Sequence, residues 1–294
     1  MGQCVDGIWS PRMTLTRRQA TELLEAHGLS PSRALGQNFV VDPNTVRRIA
    51  RLAEVGPGDR VLEIGPGLGS LTLALVETGA TVCALEIDRY VLPVLRSLVE
   101  PEGVRVIEGD AMNTNWDDVL QGKSHTLVAN LPYNISTPLI LDLLDGVALL
   151  SSMLVMVQRE VGERLAAKAG DDAYGAVSVK VAYWAEAKVV GIVPPTVFLP
   201  QPKVDSALVR IVRRSQPAVD PSVVSADDLF AVVRKGFGQR RKMLRRSLAG
   251  MVGPEAFETA GVRPEARAEE LDVAAWGRLA AAATAATSAT KLSP

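Results

Sequence analysis

Short apolar runs recur through the first half of the chain, at residues 61–64, 81–86, 104–107, 126–129 and 153–157. The stretches between them are long enough for crossover helices. This alternation predicts parallel strands covered on both faces by helices, a doubly wound α/β sheet. Two further runs, 187–193 and 207–212, bring the count to seven strands. The proline-rich segment 193–202 between them is too short for a helical crossover, so the last pair is expected to be antiparallel. Upstream, residues 16–27 show amphipathic helical spacing that stops at Gly28. Asp42 as a cap and Pro43 as a first helical residue predict a second helix, running to about residue 55 and ended by Gly56-Pro57-Gly58. Beyond a polar, proline-containing linker at 215–220 the spacing is helical from 226 to about 282. The expected organisation is an N-terminal extension and helix (1–30), an α/β domain (31–214), a smaller all-helical C-terminal domain (215–282) and a fraying Ala/Thr/Ser-rich tail (283–294).

Composition changes this picture little. With 294 residues, 47% apolar and 22% charged, the chain has the make-up of a globular protein with one large domain and an appendage. No stretch has the length and apolarity of a membrane span, and residues 1–13 lack the layout of a secretory signal, so a cytoplasmic location without membrane partners is expected. Cys4 and Cys83 do not make a disulfide framework, and Cys83, inside an apolar run, reads as core. With only His27 and His125 to add, no short-spaced Cys/His metal site can be assembled, and chemistry without a metal is expected. The net charge of −1 is uninformative, but its distribution is not. Arg234, Lys235, Arg240, Arg241, Lys242, Arg245 and Arg246 form a run without an acidic residue. Such a run reads either as an RNA-binding patch or as a solvated helix face.

The segment Glu63-Ile64-Gly65-Pro66-Gly67-Leu68-Gly69 places glycines between a strand and a helix, where a nucleoside or phosphate can lie against bare main chain. A dinucleotide fingerprint would carry a third Gly or Ala where Ser70 stands, and Pro66 separates the first two glycines, which disfavours NAD. Glu86 ends the second strand, 21 residues after Gly65, where a carboxylate can accept from both hydroxyls of a ribose. Asp110 ends the third strand and reads either as an acceptor for an adenine amine or as a turn residue.

Asn130-Leu131-Pro132-Tyr133 follows the fourth strand, on the same sheet edge as the glycine loop. An exocyclic amine on a flat base is a poor nucleophile because its lone pair is delocalised into the ring. The Asn130 oxygen and a main-chain carbonyl, that of Leu131, would accept from the amine and localise the lone pair without a strong base. Pro132 fixes φ in the turn, and Tyr133 offers a face for an extruded base, worth ~1–3 kcal/mol. Phe198, between the prolines of the 193–202 segment, is a candidate for the opposite face, with a core plug as the plainer reading. Tyr174-Gly175 reads equally as a substrate loop or a turn.

These residues together resemble the ribosomal RNA adenine dimethyltransferases, and within them the bacterial group acting on small-subunit (16S) RNA. The resemblance runs from about residue 34 to 248, carried by Leu35-Gly36-Gln37-Asn38-Phe39-Val40, the glycine loop, Glu86-Ile87-Asp88, Gly109-Asp110-Ala111, the Asn130 motif, residues 198–206 and Phe237-Gly238-Gln239-Arg240-Arg241-Lys242. It implies a Rossmann-like class I methyltransferase fold and S-adenosylmethionine as cofactor. Asn38, Val40, Gly65, Glu86, Asp110 and Asn130 would line the cofactor pocket, with Gly67 and Ala111 beside them. Asn130, Leu131, Pro132, Tyr133 and Phe198 would hold the target adenine, and the helical domain would dock RNA. The implied reaction is N6,N6-dimethylation of two adjacent adenosines in a hairpin loop near the 3′ end of that RNA, by a monomer acting on a pre-30S particle. Two rivals remain at this point: a large-subunit adenine methyltransferase of the macrolide-resistance type, and a non-catalytic ribosome-assembly factor.

Overall fold

A computed structural model of the chain describes residues 14–292. Cys4 and the rest of the expected N-terminal extension before Thr14, like residues 293–294, lie outside the described residues. The described residues divide into two compact units, one holding 14–162 with 189–210, the other 163–188 with 211–292.

The first unit opens with α1 (Arg17–Ala26), β1 (Phe39–Val40) and α2 (Pro43–Ala53). Both helices begin as their sequences dictate. The Thr16 hydroxyl accepts from the Gln19 amide at 3.4 Å while the Gln19 side chain accepts from the Thr16 amide at 3.0 Å, a reciprocal cap on α1. An Asp42 carboxylate oxygen accepts from the Thr45 amide at 2.9 Å, and Glu54, with φ of 54°, turns the chain out of α2. Strands and helices then alternate: β2 (Arg60–Ile64), α3 (Ser70–Val76), β3 (Thr81–Glu86), α4 (Leu92–Val99), β4 (Arg105–Glu108), α5 (Trp116–Leu120), β5 (His125–Asn130), α6 (Ser136–Gly146), β6 (Leu150–Gln158) and α7 (Arg159–Ala166). After α8 (Ala176–Trp184) come β7 (Ala185–Val193), β8 (Phe198–Leu199) and β9 (Ser206–Arg213). The seven-stranded sheet has the order β4-β3-β2-β5-β6-β9-β7, parallel from β4 to β6 and with its last pair antiparallel. Val61, Val82, Val128 and Leu154 from its central strands are buried in one core with Ile49, Leu73 and Leu95 from the helices. Cys83 is buried, and β1 and β8 form a separate two-stranded antiparallel pair.

The second unit is helical: α8, α9 (Ala226–Phe237), α10 (Leu244–Ser247), α11 (Pro254–Ala260) and α12 (Val273–Leu292). Residues 163–188 belong to it rather than to the α/β domain, where sequence analysis places them. The reason is packing. Tyr174, Val179 and Tyr183 are buried with Leu229, Phe230 and Trp276, and the Tyr183 and Phe230 rings meet edge to face at 5.2 Å. Tyr174 is therefore a core residue, not part of a substrate loop: its hydroxyl donates to the Leu271 carbonyl at 2.8 Å. The last helix continues past residue 282, the expected end of order, to Leu292, as the high helix propensity of its alanines favours. No helix among the described residues is long and apolar enough to cross a membrane.

Candidate active site

The sheet order reverses between β2 and β5, so the chain leaves these neighbouring strands in opposite directions and a crevice opens at their carboxyl ends. Four adjacent strands deliver the chemistry there: β2 the glycine loop, β3 Glu86, β4 Asp110 and β5 the Asn130 motif. With residues 34–39 they enclose a cavity of about 240 Å³.

Gly65 and Gly67 take φ of 70° and 57°, in the left-handed region that favours glycine. A Cβ on Gly67 would stand 2.7 Å from two ring carbons of Phe39. The Gly67 amide donates to Glu86 Oε2 at 2.9 Å, while Glu86 Oε1 accepts from the amides of Ile87 at 3.0 Å and Asp88 at 2.9 Å. A carboxylate has about four lone-pair sites, so acceptor capacity remains for a ligand hydroxyl. Burial pushes the Glu86 carboxyl above its ordinary range, the neighbouring Asp88 charge adds to this, and the three amides oppose it. Asp110 is a turn residue, with Oδ1 accepting from the Met112 amide at 2.9 Å and Oδ2 from Asn113 Nδ2 at 2.7 Å, and, half-buried, it also lines the cavity. Ala111 lines it as well.

Asn130 ends β5 with its amide oriented by a distant partner: Nδ2 donates to the Asn38 main-chain carbonyl at 2.9 Å. That bond leaves Oδ1 as an acceptor with no partner among the described residues. Leu131 donates its amide to the Met156 carbonyl at 3.1 Å, and its own carbonyl carries no bond among the described residues. The Pro132 carbonyl is taken by the Ile135 and Ser136 amides at the start of α6. Tyr133 lines the cavity half-buried, its hydroxyl 2.8 Å from Ser206 Oγ, and burial raises its phenol above the ordinary value.

Two residues fall elsewhere than expected. Phe198 is fully buried at 0% exposure, in the core with Ile49, Val193 and Leu208, and does not line the cavity. The register explains why: in the antiparallel pair, Phe198 lies opposite Val40 and Leu199 opposite Phe39, and directly opposed side chains share a face. Val40 is for the same reason a core residue, bordering only a smaller cavity behind the loop. Beside Tyr133, the aromatic on the main cavity wall is Phe39, which stands inside the Leu35–Val40 motif but was not singled out from the sequence. Gln37 was also missed; its Nε2 donates to Asp88 Oδ2 at 2.8 Å, which fastens this segment to the loop after β3.

In the helical unit, the seven-cation run sorts into two groups. Arg240 Nε is 2.5 Å from Glu269 Oε2, Arg245 Nη1 3.2 Å from Glu265 Oε1, and Lys235 Nζ donates to the Ala249 carbonyl at 2.9 Å. Arg234, Arg241, Lys242 and Arg246 are exposed and form no ion pair among the described residues.

Residues 29–284 match the family described as ribosomal RNA adenine dimethylase. The chain is 48% identical over 261 residues to the ribosomal RNA small subunit methyltransferase A of Bifidobacterium adolescentis, covering 84% of this chain and 86% of the relative. Among solved structures, a dimethyladenosine transferase from Plasmodium falciparum superposes with a TM-score of 0.69 at 26% identity, over 81% of this chain and 94% of that one. The 23S rRNA methyltransferase ErmE superposes with a TM-score of 0.68 at 26% identity, over 84% of this chain and 100% of that one.

Proposed function

This chain belongs to the ribosomal RNA adenine dimethylase family and is an S-adenosylmethionine-dependent methyltransferase, and on that premise we propose that it dimethylates two adjacent adenosines in a hairpin loop near the 3′ end of small-subunit (16S) RNA. The substrate is a pre-30S particle in the cytoplasm, and the enzyme acts as a monomer. The 48% identity to a small-subunit methyltransferase, against 26% to the 23S enzyme, favours this RNA over the large-subunit rival.

The site fits the cofactor. The glycine loop leaves bare main chain on the cavity wall, Glu86 keeps acceptor capacity for a ribose hydroxyl, Asp110 offers an acceptor to an adenine amine, and Ile87 and Ala111 give apolar walls for a flat ring. When bound, S-adenosylmethionine supplies an electrophilic sulfonium methyl. Asn130 Oδ1 and the Leu131 carbonyl accept from the target amine, draw its lone pair out of the ring and aim it. Tyr133 stacks on the base and Pro132 holds the turn. A strong general base is not needed, since the proton shed after transfer leaves from a cationic nitrogen. Arg234, Arg241, Lys242 and Arg246 contribute the RNA phosphate contacts of the helical unit.

The observation that carries this reading is the Asn130 amide, anchored through Nδ2 so that its oxygen stands free beside an unused carbonyl. The test is methyl transfer to undermethylated small subunits and to large-subunit RNA, by the wild type and by Asn130→Ala. Transfer to small subunits that Asn130→Ala abolishes is expected. Label only in large-subunit RNA would refute the choice of substrate, and unchanged turnover by the variant would remove Asn130 from the mechanism.

A further inference from the structure

Behind the glycine loop lies a second, smaller cavity of about 30 Å³, bordered by Phe39, Val40, Pro66 and Leu68 and by three polar residues, Glu63, Ser70 and Asn130. That volume holds about one or two water molecules, and water occupies such a space when it finds two to four polar partners. The partners are present. Ser70 is 6% exposed and its hydroxyl has no hydrogen-bond partner among the described residues, an arrangement that proteins rarely leave unsatisfied. Glu63 is 1% exposed and uses one oxygen, Oε2, to accept from the Thr72 hydroxyl at 2.6 Å, which leaves Oε1 available. Asn130 borders both cavities, and its Nδ2 spends one of its two hydrogens on Asn38.

We propose that the small cavity is a water site that accepts the second N–H of Asn130 and is held there by Glu63 and Ser70, making Glu63 a positioning residue for the methyl-accepting amine. With both amide hydrogens engaged, the side chain cannot flip, and Oδ1 stays directed at the target. Glu63 acts through the water and touches neither substrate nor cofactor. Burial keeps its carboxyl largely protonated at neutral pH, so it donates to the water as a glutamine would. The inference rests on the role given to Asn130 above, and its test keeps the two apart.

The test compares Glu63→Leu, Glu63→Gln and Ser70→Val with the wild type for kcat, equilibrium affinity for S-adenosylmethionine and melting temperature, with Asn130→Ala measured alongside. Leu removes the water's partner and also the burden of a buried carboxyl, so a purely structural role predicts a protein at least as stable and fully active. The water site predicts that kcat of Glu63→Leu falls about tenfold while cofactor affinity stays within about twofold and the melting temperature does not drop. Glu63→Gln retains kcat within about threefold of wild type, since its amide replaces the donor. Ser70→Val, which fills the cavity without touching Glu63, loses kcat as Glu63→Leu does and decides the matter if Glu63→Leu does not fold. Wild-type kcat in both Glu63→Leu and Ser70→Val overturns the proposal. Parallel loss of kcat and cofactor affinity also overturns it, placing Glu63 in the cofactor seat. Wild-type turnover by Asn130→Ala would instead strike the premise.

Discussion

The Tyr133 hydroxyl lies 2.8 Å from Ser206 Oγ, a bond that spans 73 residues and ties the ring expected to stack on the target base to the first residue of β9. Ser206 is fully buried, so the bond fixes the ring from its inner edge and leaves a face to the cavity. Tyr133→Phe keeps the face and loses only the bond, worth ~0.5–1.5 kcal/mol, and is expected to lower kcat/KM by a few fold. Tyr133→Ala loses the stacking platform, ~1–3 kcal/mol or about 5- to 150-fold. Equal losses in single-turnover assays of the two variants would mean that the ring face is not used.

Gly67→Ala introduces a Cβ that stands 2.7 Å from the Phe39 ring at a φ of 57°. The ring must move into the main cavity wall or the loop must shift and release the Glu86 bond. Isothermal titration is expected to show cofactor affinity reduced at least about tenfold, with the extra strain on the order of 1–2 kcal/mol.

Phe198 is a core residue, so Phe198→Ala is expected to cost about 3–5 kcal/mol of stability in denaturant unfolding. Phe198→Leu, which keeps most of the volume, should leave base recognition nearly intact. A stable Phe198→Ala protein with a selective loss of RNA turnover would return this residue to the base pocket.

The free cations and the paired ones make opposite predictions. Removing Arg241 or Lys242 is expected to weaken RNA binding and to lower the slope of log affinity against log salt by about 1 per residue. Arg240→Ala should act chiefly on stability, because it strands Glu269. Filter binding across a salt series, with melting curves of the same proteins, separates the two.

Burial pushes the Glu63 carboxyl up from 4.5 to about 8, with the Glu86 charge adding and the Thr72 hydroxyl opposing. The folded state therefore holds a proton that the unfolded chain releases above its ordinary value, and stability falls as pH rises from 4.5 towards 8. At about 1.4 kcal/mol per pH unit the penalty reaches several kcal/mol in order of magnitude. Glu63→Gln removes the titration, so its melting temperature should exceed that of the wild type by more at pH 8 than at pH 5.5. A constant difference across that window would show that Glu63 ionises normally.

The alternation of apolar runs and helical stretches, the caps at Thr16 and Asp42 and the glycines after β2 are written in local sequence, because strand and helix periodicity and turn chemistry depend on neighbours a few residues away. Parallel order in turn places Gly65, Glu86, Asp110 and Asn130 at one edge, which is why most of the site was legible. The remainder depended on partners far along the chain. The register of β8 against β1 sent Phe198 into the core and turned Phe39, beside Tyr133, to the cavity wall, and a one-residue slip would have exchanged the faces. Tyr174 and Tyr183 joined the helical unit because their apolar partners stand about 50 to 100 residues downstream. Glu269 and Glu265 withdrew two arginines from a run that reads as uniform in sequence. Glu63 looked like one more residue of a glycine loop, and only burial beside Ser70 and Asn130 gave its carboxyl a raised pKa and a cavity to face, since desolvation and enclosure are properties of packed volume rather than of sequence order.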